Sequence, residues 1–369
     1  MRVVLAPDSF KGTVSAQDAA RALADGWRSV RPHDELIEIP LADGGEGTAA
    51  VLATASPAAV WHPQVVSGPD GRTVEAGWLL RPDGTAVVEL AMAAGPHLLR
   101  APDPFGASTF GVGELLRGAT QHPGTDRVIV ALGGSATTDG GAGALAALGA
   151  ELLDRRGRLL PADGSSLAQL AAVLPPTIEP PPGGVTCLVD VNAPLLGPLG
   201  AAAQFGPQKG ATADEVARLE LGLARLATVV GADPDRPGCG AAGGTAYGLS
   251  ALWSAELESG AHVVAKAAGL PAALTRADLV ITGEGRYDPQ SRQGKLVGHV
   301  LAAARAATVA VRLVVGQLAA TLPPGVADVT ELATLAGGLE AARADARHWL
   351  TQAGRRLATD AALVALGLG

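Results

Sequence analysis

The chain has 369 residues, of which 48% are hydrophobic. This length exceeds that of a domain with a single hydrophobic core, so two domains are expected. Its formal net charge is -8 and it has no long run of Lys or Arg, which excludes a nucleic-acid partner because such proteins need a basic surface. No apolar stretch is long enough to cross a membrane and no signal peptide precedes the first strand, so a cytoplasmic protein without a membrane partner is expected.

The N-terminal region predicts two successive units of strand, loop and helix. Residues 2–6 form a buried strand, and a helix is expected after Ser15, where Asp18 three positions later indicates a capping box. A second strand over 35–40 ends in a glycine-rich loop over 42–48, which again leads into a helix. This alternation is typical of α/β proteins.

The next region has a different pattern. Residues 61–89 predict short strands joined by turns at 68–71 and 82–84, and this is the chemistry of hairpins rather than of helical crossovers. We therefore expect a change of domain near residue 60. A helix is predicted over 106–118.

The segment 127–143 is the most informative one in the chain. An apolar strand leads into a loop of glycines and hydroxyls, and a helix is expected to begin near Gly140. Glycines let a backbone approach a ligand closely, and the unpaired N–H groups of a helix N-terminus attract anions. The loop is therefore a candidate phosphate cradle, although a simple tight turn between strand and helix is about as compatible with it.

The C-terminal half continues the alternation of strands and helices. A strand over 186–189 brings Asp190 and Asn192 to its C-terminal end, where ligands collect in α/β sheets. Further elements are a capped helix from Thr212 with Glu215 to about 230, a helix after the glycines of 238–244, a strand over 277–282, a loop over 283–295, a helix from 296, a strand over 309–315 and helices from 335.

These patterns predict an α/β fold with a Rossmann-like doubly wound domain built from both chain ends and a second α/β domain inserted. The expected boundaries give residues 1–60 and 275–369 to the first domain and 61–274 to the second. The active site is expected in the cleft between them.

Five loops share one design, because each follows a strand, is read as glycine-rich and carries an acid or a lone lysine. The side chains they supply are Asp8, Ser9 and Lys11; Asp43 and Glu46; Ser135, Thr137 and Asp139; Asp190 and Asn192; and Glu284, Arg286, Asp288 and Lys295. Carboxylates for Mg²⁺, glycines for phosphates and a lysine for the transferred group are what phosphoryl transfer from ATP requires. Any one of these acids alone is more commonly a turn former or helix cap.

Other classes of site fit the sequence less well. It has no P-loop, no protein-kinase signature and no nucleophile elbow, and neither its two Cys nor its seven His show metal-binding spacing. A GxGxxA pattern over 141–146 begins too far beyond the strand for a typical dinucleotide site. An NAD(P)-dependent dehydrogenase of a small hydroxy acid and a non-catalytic phosphate or sugar-acid binding module remain the alternatives.

Five motifs together resemble the bacterial glycerate kinase family of the first type, in the order found in that family and over nearly the whole chain. They are APDSFKG at 6–12, ADGGEGT at 42–48, LGGSATTDGGAG at 132–143, FGPQKGA at 205–211 and ITGEGRYD at 281–288. The resemblance implies ATP-dependent phosphorylation of D-glycerate, typically at the 2-hydroxyl. One departure is that Ala193, and not an asparagine, precedes Pro194 after Asp190, which bears on affinity or substrate choice.

From these residues and the resemblance we assign candidate roles. Asp190 is the base that accepts the hydroxyl proton, Lys295 neutralises the transferred phosphoryl group, and Asp43 is a further catalytic residue. The remaining candidates are Asp43, Glu46, Glu284 and Asp288 for Mg²⁺; Ser9, Lys11, Asn192 and Arg286 for glycerate; and Gly133, Gly134, Ser135 and Thr137 for the phosphates of ATP. Lys209 could serve either ligand. The chain is expected to be a monomer or a homodimer.

Overall fold

The structure is a computed structural model that describes residues 1–292, 295–322, 326 and 328–365. It is a mixed α/β protein, which confirms the predicted class. The strands are β1 (Arg2–Pro7), β2 (Glu35–Glu38), β3 (Val60–Ser67), β4 (Thr73–Leu80), β5 (Thr85–Glu89), β6 (Arg127–Ala131), β7 (Glu151–Leu153), β8 (Ala172–Leu174), β9 (Val185–Val189), β10 (Glu256–Ser259), β11 (Leu279–Tyr287), β12 (Ala310–Leu318) and β13 (Val329–Glu331). The α-helices are α1 (Ala16–Arg28), α2 (Thr48–Thr54), α3 (Ala91–Ala94), α4 (Phe110–Gln121), α5 (Ala142–Ala147), α6 (Ala201–Phe205), α7 (Ala213–Val230), α8 (Thr245–Leu252), α9 (Gly260–Ala267), α10 (Leu270–Leu274), α11 (Leu296–Ala306), α12 (Leu332–Ala336), α13 (Leu339–Ala344) and α14 (Ala346–Ala365).

The chain divides into two compact units. The first contains residues 1–43, 50–55 and 261–369, and the second contains 44–49 and 56–260. The glycine-rich loop at 42–48 is thus shared between them. No helix among the described residues is both long and apolar enough to cross a membrane.

The first unit is built on a parallel five-stranded sheet in the order β13-β12-β11-β1-β2. Strand β1 is buried on both faces, and because side chains alternate along a strand, Val3 and Leu5 pack in one core while Val4 and Ala6 pack in another. Helix α1 packs in the first core through Trp27, and α11 packs in the second. Cores on both faces of a parallel sheet define the doubly wound architecture that the sequence predicted.

The order of the strands reverses direction at β1. The chain passes from β1 to β2 on one side, and the strand that pairs on the other side of β1 is β11, in the register Val3↔Leu279. In open α/β sheets, ligands bind outside the carboxyl ends of the strands at such a reversal. The residues that follow β1 and those at the end of β11 therefore lie where a ligand site is expected.

Helices from the two chain ends pack closely together in the first unit. Ser15 caps α1 by accepting a hydrogen bond from the backbone N–H of Asp18. The predicted capping box forms only in part, because the Asp18 carboxylate accepts from the Ser15 hydroxyl at 2.9 Å. A methyl group on Gly26 of α1 would overlap the backbone oxygen of Thr351 in α14, and one on Gly354 would overlap the backbone oxygen of Leu23. Only glycine permits this approach of the two helices.

The second unit contains a six-stranded sheet in the order β10-β9-β6-β5-β4-β3. Strands β10, β9, β6 and β5 are parallel, whereas β3, β4 and β5 form the antiparallel hairpins predicted from the turn residues. A small antiparallel pair, β7-β8, lies apart from this sheet in the hydrogen-bond pattern. The core of the unit includes Val88, Val130 and Trp253, and the Trp253 indole N–H is satisfied by the Ile178 carbonyl oxygen at 2.8 Å.

Two predicted boundaries are wrong in an informative way. Helix α4 begins at Phe110 and not at 106, because the carboxylate of Asp103 first closes a turn with the N–H of Gly106. The expected loop from 283 is in its first part strand, since β11 continues in parallel pairing with β12 as far as Tyr287. Residues 293 and 294 of that expected loop lie outside the described part.

Candidate active site

A cavity of about 320 Å³ lies in the first unit at the carboxyl ends of β1 and β11. Its volume suits a small metabolite or part of a larger ligand. The charged residues that line it are Asp8, Lys11, Asp43, Glu284, Arg286, Asp288, Lys295 and Arg343. Ser9 also lines it, so the cavity brings together all the first-unit candidates from the sequence.

Strand geometry explains how β11 supplies its part of the cavity. Glu284 and Arg286 are two residues apart on the strand, so their side chains lie on the same face. A methyl group on Gly283 would overlap the carbonyl oxygen of Val314 in β12, so glycine is needed for the two backbones to approach. Gln317, the register partner of Arg286, also lines the cavity.

Asp8 is a buried acid of the cavity and has two other acids near it. Its carboxylate accepts a hydrogen bond from the Ser9 N–H at 2.6 Å. Burial, together with the charges of Asp43 and Glu284, raises the pKa of Asp8 to about 7, although Lys11 opposes the rise. Lys11 Nζ lies 3.5 Å from a carboxylate oxygen of Asp43.

Glu284 is in a similar electrostatic state. Burial raises its pKa to about 7, the charges of Asp288 and Asp43 add to the rise, and Ser291 and Lys295 oppose it. Among the described residues, its Oε1 atom is buried and has no hydrogen-bond partner. A buried carboxylate oxygen without a donor is costly, and a cation or a bound ligand would satisfy it.

The carboxylates fit Mg²⁺ in one particular way. No group of three or more Asp, Glu, His or Cys side chains in the described part of the chain has the geometry to hold a metal ion without other ligands. Mg²⁺ usually keeps several waters and binds through one or two carboxylates together with substrate phosphates. Asp43, Glu284 and Asp288 fit such a role, in which the nucleotide supplies the other oxygens.

The glycine and hydroxyl loop after β6 belongs to the second unit. Gly134 is exposed and Gly133 and Ser135 are half-buried, whereas Thr137 is fully buried. The hydroxyl oxygens of Ser135 and Thr137 are 2.9 Å apart, and the Thr137 N–H donates to the Ser135 hydroxyl oxygen at 3.0 Å. The exposed residue Gly134 is thus accessible to a ligand, and buried Thr137 fixes the position of Ser135 through hydrogen bonds.

The predicted role of the helix after this loop needs correction. Helix α5 begins at Ala142, and the N–H groups of Gly141 and Gly143 at its N-terminus donate to the carboxylate of Asp139 at 3.1 and 3.2 Å. They are therefore not directed at a phosphate. The sequence suggested an acid facing the ligand, but Asp139 is fully buried, where it holds the helix and the residues before α4.

The segment 44–49 also belongs to the second unit. A methyl group on Gly133 would lie 2.5 Å from the Cα of Gly45, so this segment runs directly beside the loop after β6. Buried Glu89, at the end of β5, accepts hydrogen bonds from the N–H groups of Gly47 and Ala49 at 3.3 and 2.6 Å. Glu46, the remaining acid proposed for Mg²⁺, is exposed on this segment.

Asp190 and Asn192 follow β9 directly, at the end of the strand where the sequence placed them. Asp190 is half-buried and Asn192 is exposed. The segment 238–244 packs against the residues that follow them, because a methyl group on Gly240 would overlap the Pro194 carbonyl oxygen. The same segment touches the Thr137 carbonyl oxygen at Gly243, so it supports both candidate loops of the second unit.

Several side chains of these regions were not among the sequence candidates for a site. Arg343 and Gln317 lie far along the chain in segments without a motif. Glu89 ends an ordinary strand. The positions of these side chains depend on long-range packing. Of the three, only Glu89 could have been found from the sequence, because it is an acid at the carboxyl end of a strand.

Comparison with known proteins identifies the family of the chain. The model of the glycerate kinase family matches residues 3–362. A glycerate kinase of Bacillus subtilis is 41% identical over 330 residues, covering 86% of this chain and 85% of that protein. The glycerate 2-kinase of Escherichia coli K12 is 41% identical over 308 residues, covering 80% of each.

A solved structure agrees over nearly the whole chain. The crystal structure of a candidate glycerate kinase 2 from Salmonella typhimurium LT2 has a TM-score of 0.82 and 35% sequence identity, covering 99% of both chains. The resemblance found in the five sequence motifs is thereby confirmed. The structure has a cavity of acids and cations at the reversal point of a doubly wound sheet. The family match over residues 3–362 shows that the chain belongs to the glycerate kinase family.

Proposed function

We propose that this member of the glycerate kinase family transfers the γ-phosphoryl group of ATP to the 2-hydroxyl of D-glycerate with the help of Mg²⁺. The observation that supports it best is the cavity in the first unit, where four acids and four cations lie together at the carboxyl ends of β1 and β11. Cations bind the carboxylate of glycerate and balance the charge on the phosphates, and the acids hold a divalent cation.

In the proposed reaction, the 2-hydroxyl oxygen of glycerate bonds to the γ-phosphorus, and the bond from this phosphorus to the bridging oxygen of ADP breaks. The hydroxyl proton passes to Asp190, and the electrons of the broken bond leave with ADP. The products are 2-phosphoglycerate and ADP. We assign the Gly133, Gly134, Ser135 and Thr137 loop to the phosphates of ATP, with Thr137 acting through Ser135.

Glycerate is small and anionic, so its binding depends on cations with hydrogen-bond donors. Arg286 presents a planar guanidinium, which matches a carboxylate in two hydrogen bonds, and Lys11 and Ser9 line the same cavity. Lys295 precedes α11 and lies in the same cavity, where its charge opposes that of Glu284. We assign it to the transferred phosphoryl group.

Asp43, Glu284 and Asp288, with Glu46 through water, are proposed to hold Mg²⁺. When bound with ATP, the ion withdraws charge from the phosphate oxygens. The buried Oε1 atom of Glu284, which has no hydrogen-bond partner among the described residues, supports this role because a bound cation would satisfy it. The position of the active site between the two domains, Asn192 as a substrate contact, the oligomeric state and the cellular location stay predictions.

The test is a reaction with purified protein, ATP, Mg²⁺ and D-glycerate in which ADP is followed and the product is identified by ³¹P NMR. We expect glycerate-dependent ADP formation and 2-phosphoglycerate. The 3-phosphate as product would contradict the proposed position of transfer. Reduction of NAD(P)⁺ by glycerate in the absence of ADP formation would favour a dehydrogenase, and ligand binding without any turnover would favour a binding module.

A further inference from the structure

Lys209 is buried beneath the loop that follows β6. It ends a short helical turn, Pro207–Lys209, and only 9% of the residue is exposed. Its Nζ atom donates a hydrogen bond to the carbonyl oxygen of Thr137 at 2.5 Å. Burial lowers the pKa of Lys209 to about 8 and the carboxylate of Asp139 opposes this shift, so the ammonium is mostly charged at neutral pH.

Stability alone does not explain a lysine at this position. An ammonium has three N–H donors, and among the described residues Thr137 is the one hydrogen-bond partner of Lys209. No carboxylate in the described part lies within 4.0 Å of its nitrogen to form an ion pair. A buried charge with so few partners is costly, and apolar side chains of similar volume often serve such positions equally well or better.

The contact of Lys209 reaches the exposed tip of the loop through one residue. Thr137 donates its N–H to the Ser135 hydroxyl oxygen, and the two hydroxyls are 2.9 Å apart. Gly243 packs against the same carbonyl oxygen of Thr137 from the segment 238–244. In that segment Ala242 adopts a left-handed conformation with φ of 52°. A non-glycine residue there is strained, which indicates that the surrounding packing fixes the segment firmly.

We propose that Lys209 is a positioning residue for the nucleotide, which holds the Thr137 carbonyl and thereby orients the Ser135 hydroxyl toward a phosphate of ATP. The inference rests on the proposed function, because the loop meets ATP only if the chain is an ATP-dependent kinase. Lys209 acts on ATP through Thr137 and Ser135, and glycerate binding is independent of it.

The test compares Lys209→Met with the wild type. We expect the Kd of a non-hydrolysable ATP analogue, measured by calorimetry, to rise at least about tenfold, which corresponds to about 1.4 kcal/mol. KM for ATP should rise in parallel, while KM for glycerate stays unchanged and Tm stays equal or increases. Lys266→Met, which removes an exposed lysine on α9, is the matched control and should change none of these values.

Two further variants keep the test decisive. In a Ser135→Ala background, Lys209→Met should raise the Kd of the analogue by less than it does in the wild type. The Ser135 hydroxyl, through which Lys209 is proposed to act, is already absent there. If Lys209→Met does not fold, Lys209→Arg takes its place, with an expected rise in Kd of at least about threefold from the altered donor geometry.

Three results would overturn the proposal. They are an unchanged Kd of the analogue in the folded Lys209 variant, an equal rise of KM for both substrates with a lower Tm, and full additivity with Ser135→Ala. Failure of the proposed function is separate from these, because it would appear in the wild-type protein as neither nucleotide binding nor glycerate-dependent ADP formation.

Discussion

Thr109 donates two hydrogen bonds to one carboxylate oxygen of Asp139, from its backbone N–H at 2.8 Å and from its hydroxyl at 2.7 Å. The hydroxyl oxygen of Thr109 in turn accepts the N–H of Ala144 at 2.9 Å. Burial raises the pKa of Asp139, and the hydrogen bonds to its carboxylate oppose that rise. The pair thus joins the start of α4 to the start of α5, directly behind the loop that follows β6.

The first prediction concerns Asp139→Ala. The substitution leaves the N–H groups of Thr109, Gly141 and Gly143 without their acceptor in a buried place, so the free energy of unfolding should fall by about 3 kcal/mol or more. Urea denaturation measures it. Asp214→Ala, at an exposed position in the first turn of α7, should cost less than about 1 kcal/mol. Equal losses in the two variants would contradict the structural role of Asp139.

The second prediction concerns the pH dependence of stability. The pKa of Asp8 rises from 3.8 to about 7 on folding. Between these two pH values the Asp8 carboxyl group is therefore protonated in the folded state and ionised in the unfolded state. The free energy of unfolding therefore falls as pH increases from about 4 to about 7, and the full cost of the charge is present above that range.

Asp8→Asn removes this cost and retains an acceptor for the Ser9 N–H. With EDTA present, the variant should exceed the wild type in free energy of unfolding by about 2 kcal/mol or more at pH 8, and the difference should shrink toward pH 4. Denaturant unfolding at pH 5 and pH 8 measures both. A difference that is the same at both pH values would show that the carboxyl does not titrate in this range.

The third prediction concerns the contact between α1 and α14. Alanine is favoured over glycine within helices by about 1 kcal/mol, yet Gly26→Ala and Gly354→Ala should each destabilise the protein by about 1–3 kcal/mol, because the added methyl meets backbone atoms. Gly118→Ala in α4 is the control, since its methyl would meet the movable end of the Gln64 side chain. Thermal unfolding compares them, and stabilisation by Gly354→Ala would contradict the close approach.

The fourth prediction concerns the chemistry. Asp190→Ala should lower kcat by at least about tenfold because it removes the proton acceptor, and Lys295→Ala should lower kcat/KM by at least about tenfold because it removes a phosphate contact. Steady-state kinetics measures both. Lys266→Ala serves as the exposed control. Smaller losses than these would reject the assigned roles.

Local chemistry made much of the fold predictable from the sequence. The hydroxyl of Ser15 caps α1, and Thr212 with Glu215 forms the full capping box of α7, because both motifs act within three residues. The hairpins between β3 and β5 followed from their turn residues for the same reason. These features need no information from distant parts of the chain.

The failures arose where a distant partner decides the role of a residue. Gly283 resembles a turn glycine, but it lies within β11, where β12 approaches too closely for a side chain. Asp139 resembles an acid in a ligand loop, but its partner Thr109 is 30 residues away. For the site, the sequence identified Lys11, Glu284 and other acids and cations that line one cavity, whereas Arg343 depends on how α13 packs.

The central sheet of the first unit takes β1 and β2 from the beginning of the chain and β11 to β13 from its end. During synthesis on the ribosome, more than 270 residues are therefore added after β1 before its partner strand β11, which begins at Leu279, is made. The residues of the second unit from 56 to 260 are continuous and are complete earlier. We therefore expect the second unit to fold first and the apolar side of α1 to stay exposed until α14 has been synthesised, a state in which the N-terminal region is prone to bind chaperones.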